Sequence, residues 1–474
     1  MVGSRRPILV GGIGLSLALW LLQSFDSSVG ITELGIFGTV SLCVCLWLFQ
    51  QIKLKKAQIV DNSPPNREKA EKVLATANNV INRLQTEAEN SAELPLLQTQ
   101  FTKINNELER RCINIAITGG KAVGKTTLLH QLSSWENTSN RPVNFQETKP
   151  LFIPGQETSA TLEANYADLV IFVTSGDLTD SEWQIWQQMA EKNQRTVLAF
   201  NKQDQYIPEA RATILHSLQQ KVANVVVTSA SPNQVKVRQH QSDRSVREWL
   251  DKPAADISQL SDYLQQVVVK EGQELIWATT IRQAINLQIE AKTALNQVRH
   301  QKATPIIEQY QWIAAAAAFA NPVPALDLLA TAAINAQLVV ELGNIYQQKF
   351  SFQQAQTVAG TMASLMLKLG LVELSTKAVA TVLKSNVVTF VAGGALQGVS
   401  AAYLTRVAGL SLIEYFQSQE VAISSDGLNL DKLGQTLQKV FQQNQQVALL
   451  QSVVQQGVSR LLPEPQIKAD SSAS

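Results

Sequence analysis

The stretch Ile113–Thr127, INIAITGGKAVGKTT, constrains this chain more than any other. Isoleucines at 113, 115 and 117 share one face of an apolar run, which predicts a buried strand. The run passes directly into Gly119-x-x-x-x-Gly124-Lys125-Thr126, the pattern of a phosphate-binding turn that opens a helix. Glycines let the backbone curl, so that successive N–H groups across Gly119, Gly120, Lys121, Ala122, Val123 and Gly124 face phosphate oxygens. The helix that follows adds the positive end of its dipole. Lys125 is placed against the β- and γ-phosphates, the Thr126 hydroxyl on Mg²⁺, and Thr127 beside them.

A second pair of stretches narrows the base. Thr196–Asp204 reads TVLAFNKQD, a buried strand ending in Asn201-Lys202-Gln203-Asp204. A further strand over 222–227 ends in Thr228-Ser229-Ala230-Ser231. With Asn201 placed 76 residues after Lys125, the order of motifs resembles the translation-factor-like (Era/TrmE-type) bacterial GTPases. That resemblance implies that Asn201, Lys202, Asp204, Ser229 and Ala230 hold a guanine base, with GTP or GDP and Mg²⁺ as the bound species. A carboxylate at Asp204 is the right acceptor for the N1–H and exocyclic amine donors of guanine. Adenine offers no such pair and would leave the acid unpaired.

The sequence departs from that family at Phe152 and at Ala122. The expected Asp-x-x-Gly falls on Phe152-Ile153-Pro154-Gly155, and a phenyl ring cannot ligate metal. Gln156 follows the glycine, where a water-positioning glutamine is expected, and is the candidate catalytic residue beside Lys125. Ala122 stands where potassium-dependent relatives often carry asparagine, which argues against that accessory ion. Thr138 is the candidate for the first switch loop and a second metal contact. The resulting expectation is a slow GTPase used as a conformational switch. The alternative is a scaffold that holds nucleotide without turnover.

The rest of the chain reads as attachments to this domain. Two uncharged runs of 19 residues, 7–25 and 34–52, each approach the thickness of a bilayer. Arg5 and Arg6 precede them and Lys53, Lys55 and Lys56 follow, while Asp26 and Glu33 lie between. This predicts a transmembrane hairpin over 1–56 with both ends and the nucleotide domain on the cytoplasmic side. Residues 57–111 read as a helical stalk, with Pro95 between two amphipathic stretches. The nucleotide domain is expected over 112–272 as a mostly parallel, doubly wound α/β sheet, closed by a last helix over 257–270. An amphipathic helix over 274–299 then leads into an Ala-rich helical region. There Asn321-Pro322-Val323-Pro324-Ala325-Leu326-Asp327 and its surroundings resemble the YcjF-like domain of unknown function, which implies an all-α domain over 273–420 and no chemistry. The uncharged stretch 385–405 is expected to pack as a bundle helix rather than span a membrane. Residues 421–474 read as a polar helical tail with a disordered end.

Composition sets the remaining limits. A net charge of +1 gives no field for nucleic acid, and no nucleic-acid partner is expected. Cys43, Cys45 and Cys112 form no ligand cluster, and the four histidines are scattered, so no catalytic or metal role falls to them. The bilayer and an unidentified protein effector are the partners implied, while the sequence leaves the oligomeric state open.

Overall fold

The computed structural model describes residues 64–139, 141–152, 163–240, 246–320, 324–385, 393–418, 429–444 and 456. The hairpin expected over 1–56 lies outside the described residues, as does Gln156. Among the described residues, no single helix is long and apolar enough to cross a membrane.

Five parallel strands form the sheet of the α/β domain: β1 (Ile113–Gly119), β2 (Val143–Glu147), β3 (Leu169–Thr174), β4 (Thr196–Phe200) and β5 (Val225–Val227). They lie side by side in the order β2-β1-β3-β4-β5. A parallel sheet needs cover on both faces, and alternation along each strand supplies it. Ile113, Ile115, Ile117, Val197 and Ala199 face helix α3 (Lys125–Ser133) and the start of the long helix α6 (Ser258–Ala320). Ala116, Val170, Phe172, Leu198 and Phe200 face the other way, towards α4 (Asp180–Glu191) and α5 (Pro208–Lys221). Helix α4 starts where Thr179 and Glu182 cap it reciprocally. Between β5 and α6 an exposed antiparallel hairpin projects, β6 (Val235–His240) with β7 (Val246–Asp251).

The sequence divides the chain near residue 272, but no break occurs there. Expected helices over 257–270 and 274–299 are one helix of 63 residues, about 95 Å long at 1.5 Å per residue. No proline or turn-forming run interrupts 270–274, and Gly272 has a packing reason. A Cβ there would sit 2.9 Å from Ile113 Cδ1, so glycine lets the helix close on the start of β1. Arg195 pairs with Glu271 at 2.9 Å, and Arg141 donates to Gln273 at 3.0 Å on either side of that contact.

The stalk expectation also changes form. Helices α1 (Arg67–Glu87) and α2 (Leu94–Glu107) lie along α6, burying Leu74, Ile81 and Leu84 against Ala284, Leu287 and Ala291. The second half of α6 meets α7 (Pro324–Ile345), α8 (Phe352–Lys368), α9 (Leu371–Ser385), α10 (Gly393–Gln417) and α11 (Leu430–Asn444) in a separate all-helical core. Its largest fully buried side chains are Tyr403 and Tyr415. The described part of the stretch 385–405, in α10, is packed into this core.

The helical region and the α/β domain are pinned together at the amino end of β3. Asp168, fully buried, accepts both arms of the Arg110 guanidinium at 2.7 and 2.8 Å and the Asn114 N–H at 2.8 Å. Nearby, Arg282 of α6 donates to the Ala167 carbonyl at 2.9 Å; burial brings its guanidinium pKa down to about 10, with the Asp168 charge opposing. Removing one member of a buried ion pair strands the other charge. Asp168→Ala is therefore expected to cost about 3 kcal/mol of stability. A lowered urea midpoint with an unchanged slope checks this.

Candidate nucleotide site

The parallel sheet delivers every candidate loop to one edge, because all of its strands end there. Gly119 pairs with Val173 and Ile117 with Glu147, while Phe200 lies opposite Thr174 and Val227. The turn after β1 has the curled backbone the motif requires. Gly119 has φ +148° and Gly124 φ +97°, values that L side chains rarely adopt. A Cβ at Gly124 would overlap the Asn201 amide, so a close approach adds to the backbone requirement. Ala122 takes φ +62° at the crest. Val123 is buried, while Lys121 and Ala122 are exposed.

Lys125 is only 4% exposed and donates to the carbonyls of Gly119 at 3.2 Å and Gly120 at 2.8 Å. Burial lowers its ammonium pKa below the ordinary lysine value, and the neighbouring Glu147 carboxylate opposes that shift. Thr126, one residue on, donates its hydroxyl to Glu147 Oε1 at 3.1 Å. Thr127 is partly buried in the same turn of α3.

Glu147 is an acid at this edge that motif spacing did not single out. The expected metal acid fell on Phe152, but β2 ends at Glu147, and Phe152 lies beyond it in a turn, half-exposed, with φ +64°. Leu151 N–H donates to the Gly119 carbonyl at 3.1 Å, which fixes that turn against the glycine loop. The carboxylate at the strand end is therefore present, only not at the Asp-x-x-Gly spacing. The signal available was the strand itself, Val143–Glu147, ending in an acid.

Thr138 requires a second correction. Val143 pairs with Ile113, so the segment before β2 sits at the amino end of the sheet. The glycine turn lies at the carboxyl end of β1, about 20 Å away at 3.3 Å per residue. Thr138 is exposed there and its N–H donates to Gln265 on α6 at 3.2 Å. It cannot touch a metal held by Thr126.

The asparagine motif joins the glycine turn through Asn201, which is 2% exposed. Its amide donates to the Val123 carbonyl at 2.9 Å. Its Oδ1 accepts from Thr228 Oγ1 and from Ala230 N–H, both at 3.1 Å. Lys202, in a left-handed conformation at φ +61°, reaches across to the Ala122 carbonyl at 2.8 Å. Asp204 follows in an exposed turn, where its Oδ2 accepts the Asn233 N–H at 3.1 Å. Ser229 is buried, and its backbone is bonded to Asp256. The phosphate-loop residues, Asn201, Lys202, Asp204, Ser229 and Ala230 thus share one sheet edge. Among the described residues no cluster of three or more His, Cys, Asp or Glu forms a metal cage.

Comparison with known proteins adds limited context. Residues 282–446 match the family model described as a domain of unknown function (DUF697). That stretch overlaps the helical region set off in the sequence. No curated protein matches the chain. Among solved structures, a GTP-binding protein from the hyperthermophilic archaeon Sulfolobus solfataricus in complex with GDP is 17% identical, over 44% of this chain and 68% of that one, with TM-score 0.24. A member of an oligomerised bacterial dynamin pair is 12% identical over 87% and 81%, with TM-score 0.26. The LeoA bacterial dynamin GTPase from ETEC is 12% identical over 83% and 99%, with TM-score 0.22. Superpositions this poor establish no common architecture for the whole chain.

Asn201 supplies a donor and an acceptor that no apolar residue replaces. Asn201→Ala leaves the Val123 carbonyl and the Ala230 N–H buried without partners, at a cost of about 2 kcal/mol. Faster proteolysis around 228–231 and a lower melting temperature are the expected readouts.

Proposed function

We propose that this chain binds GTP and GDP with Mg²⁺ and hydrolyses GTP slowly, acting as a membrane-tethered switch of the Era/TrmE type. The observation that carries the reading is the Asn201 amide, which bonds the glycine turn and the Thr228–Ala230 loop at once. A nucleotide laid along that edge has its phosphates over Gly119–Thr126 and its base towards Asp204 and Ala230. Thr126 and Glu147 offer the hydroxyl and carboxylate oxygens that a hard cation takes, and they are 3.1 Å apart. Lys125 would exchange its carbonyl partners for β- and γ-phosphate oxygens, which restores the charge that burial disfavours. Mg²⁺ held by Thr126 and Glu147 would supply charge neutralisation to the phosphates. Gln156 is assigned the positioning of the attacking water. Slow turnover follows from the place of Thr138, which leaves that hydroxyl unavailable to close over the metal.

The N-terminal uncharged runs would tether this switch to a bilayer, with the nucleotide domain in the cytoplasm and the helical half presented to a protein effector. In this reading Glu147 supplies the strand-end carboxylate that Phe152 cannot, which favours turnover over the non-hydrolysing scaffold.

Equilibrium titration decides the nucleotide. GTP and GDP are expected to bind at least about a hundredfold more tightly than ATP, since adenine leaves the Asp204 carboxylate unpaired. Equal affinity for ATP would contradict the reading. Asp204→Asn exchanges an acceptor for a donor and should move preference from guanine to xanthine nucleotides. Glu147→Ala is expected to weaken Mg²⁺-dependent retention of GTP and lower hydrolysis about tenfold or more, while nucleotide binding without metal persists. Loss of binding without metal would place Glu147 elsewhere in the chemistry.

A further inference from the structure

The base-recognition loop and the long helix α6 meet at one point that neither motif nor family implies. Ser229 N–H donates to the Asp256 carbonyl at 2.8 Å, and Asp256 N–H returns a bond to the Ser229 carbonyl at 3.0 Å. This backbone pair closes the neck of the excursion that carries β6 and β7. Asp256 then turns its side chain to α6, where Oδ1 accepts the Ser258 N–H at 3.2 Å and the Ser258 hydroxyl at 2.8 Å. One residue on, Gln259 of α6 accepts the Val227 N–H at the end of β5, at 3.2 Å. The other side of the same loop is held by Asn201, through Thr228 and Ala230. The excursion is attached to the site once more, by the Asn233 N–H on Asp204.

A continuous chain of hydrogen bonds therefore runs from the Val123 carbonyl in the glycine turn, through Asn201 and the Thr228–Ala230 loop, to Asp256 and the first turn of α6. Two of its links are backbone to backbone, with no side-chain rotation to absorb a displacement. Helix α6 continues past the sheet and packs along α1 and α10. An ångström of movement in the base loop at one end has a rigid helix on which to act.

We propose that Asp256 is a positioning residue that locks the base-recognition loop to α6, so that nucleotide at the site and the arrangement of the helical half bias each other. This inference rests on the guanine-nucleotide reading above. Coupling of this kind is reciprocal: a nucleotide that shifts α6 is itself held more or less tightly when the helical half is held in one arrangement. The exposed β6–β7 hairpin, rooted at the same neck, shares in that constraint.

The test uses the full chain in detergent, with GDP and a non-hydrolysable GTP analogue. The readouts are GDP dissociation rate and amide hydrogen exchange across 258–285. In the parent, exchange over the first turns of α6 should differ between the two nucleotides. Asp256→Ala should erase that difference and speed GDP release about tenfold, within the usual range of coupling. Asp256→Asn keeps an acceptor at the cap and should stay within about twofold of the parent. Gln259→Ala gives an independent break of the same link, with an effect in the same direction. If Asp256→Ala matches the parent in both readouts, or Asp256→Asn is as impaired as Asp256→Ala, the lock is overturned while the nucleotide reading stands. If the parent binds no guanine nucleotide, the nucleotide reading fails first and takes this inference with it.

Discussion

One buried amide organises the site. Asn201 lies at the end of β4 with both ends of its side chain engaged, one on the glycine turn and the other on the loop after β5. Only a group with a donor and an acceptor on one short stem fits that position. A carboxylate of the same shape would face the Val123 carbonyl with a lone pair, and an apolar residue would leave buried backbone groups unsatisfied. Because the Gly124 backbone lies against this amide, glycine at 124 and asparagine at 201 are conditions on each other.

That junction depends on the sheet beneath it. Parallel strands send their carboxyl ends to one side, so loops far apart in sequence become neighbours without any contact designed between them. The two faces of the sheet are covered differently. Helices α4 and α5 close one face as local crossovers, whereas α6, which covers the other together with α3, belongs equally to the helical half. The α/β domain and the helical region are therefore not beads on a linker. They share a helix, fixed to the sheet by Gly272 against Ile113 and by Arg282 on the Ala167 carbonyl, next to Asp168 with its Arg110 pair.

Much of this was legible in the residues, and the failures have definite causes. The glycine turn and the Asn201 motif are local patterns whose geometry is set by a few adjacent residues, so sequence spacing sufficed. Glu147 was not singled out because where a strand ends is set by its pairing rather than by local spacing. Spacing to the next glycine pointed to Phe152, while the register of β2 against β1 points to Glu147. Thr138 failed for the related reason that the direction of β2 is a property of pairing: a parallel strand puts the segment before it at the far edge. The two helices expected over 257–270 and 274–299 are one, and Gly272 between them serves close packing inside a continuous helix. The Ser229–Asp256 pair carries no sequence signal, since backbone hydrogen bonds leave no mark on residue type.

The central claim is that the glycine turn and the Asn201 and Ala230 loops close over a single guanine nucleotide. A crystal structure of the chain with GDP and Mg²⁺ tests it most directly. The account predicts the β-phosphate cradled by the N–H groups of 119–126, the metal on Thr126, and guanine N1 and its exocyclic amine about 3 Å from the Asp204 carboxylate. GDP found with its base away from Asp204, or with its phosphates outside the glycine turn, would contradict it.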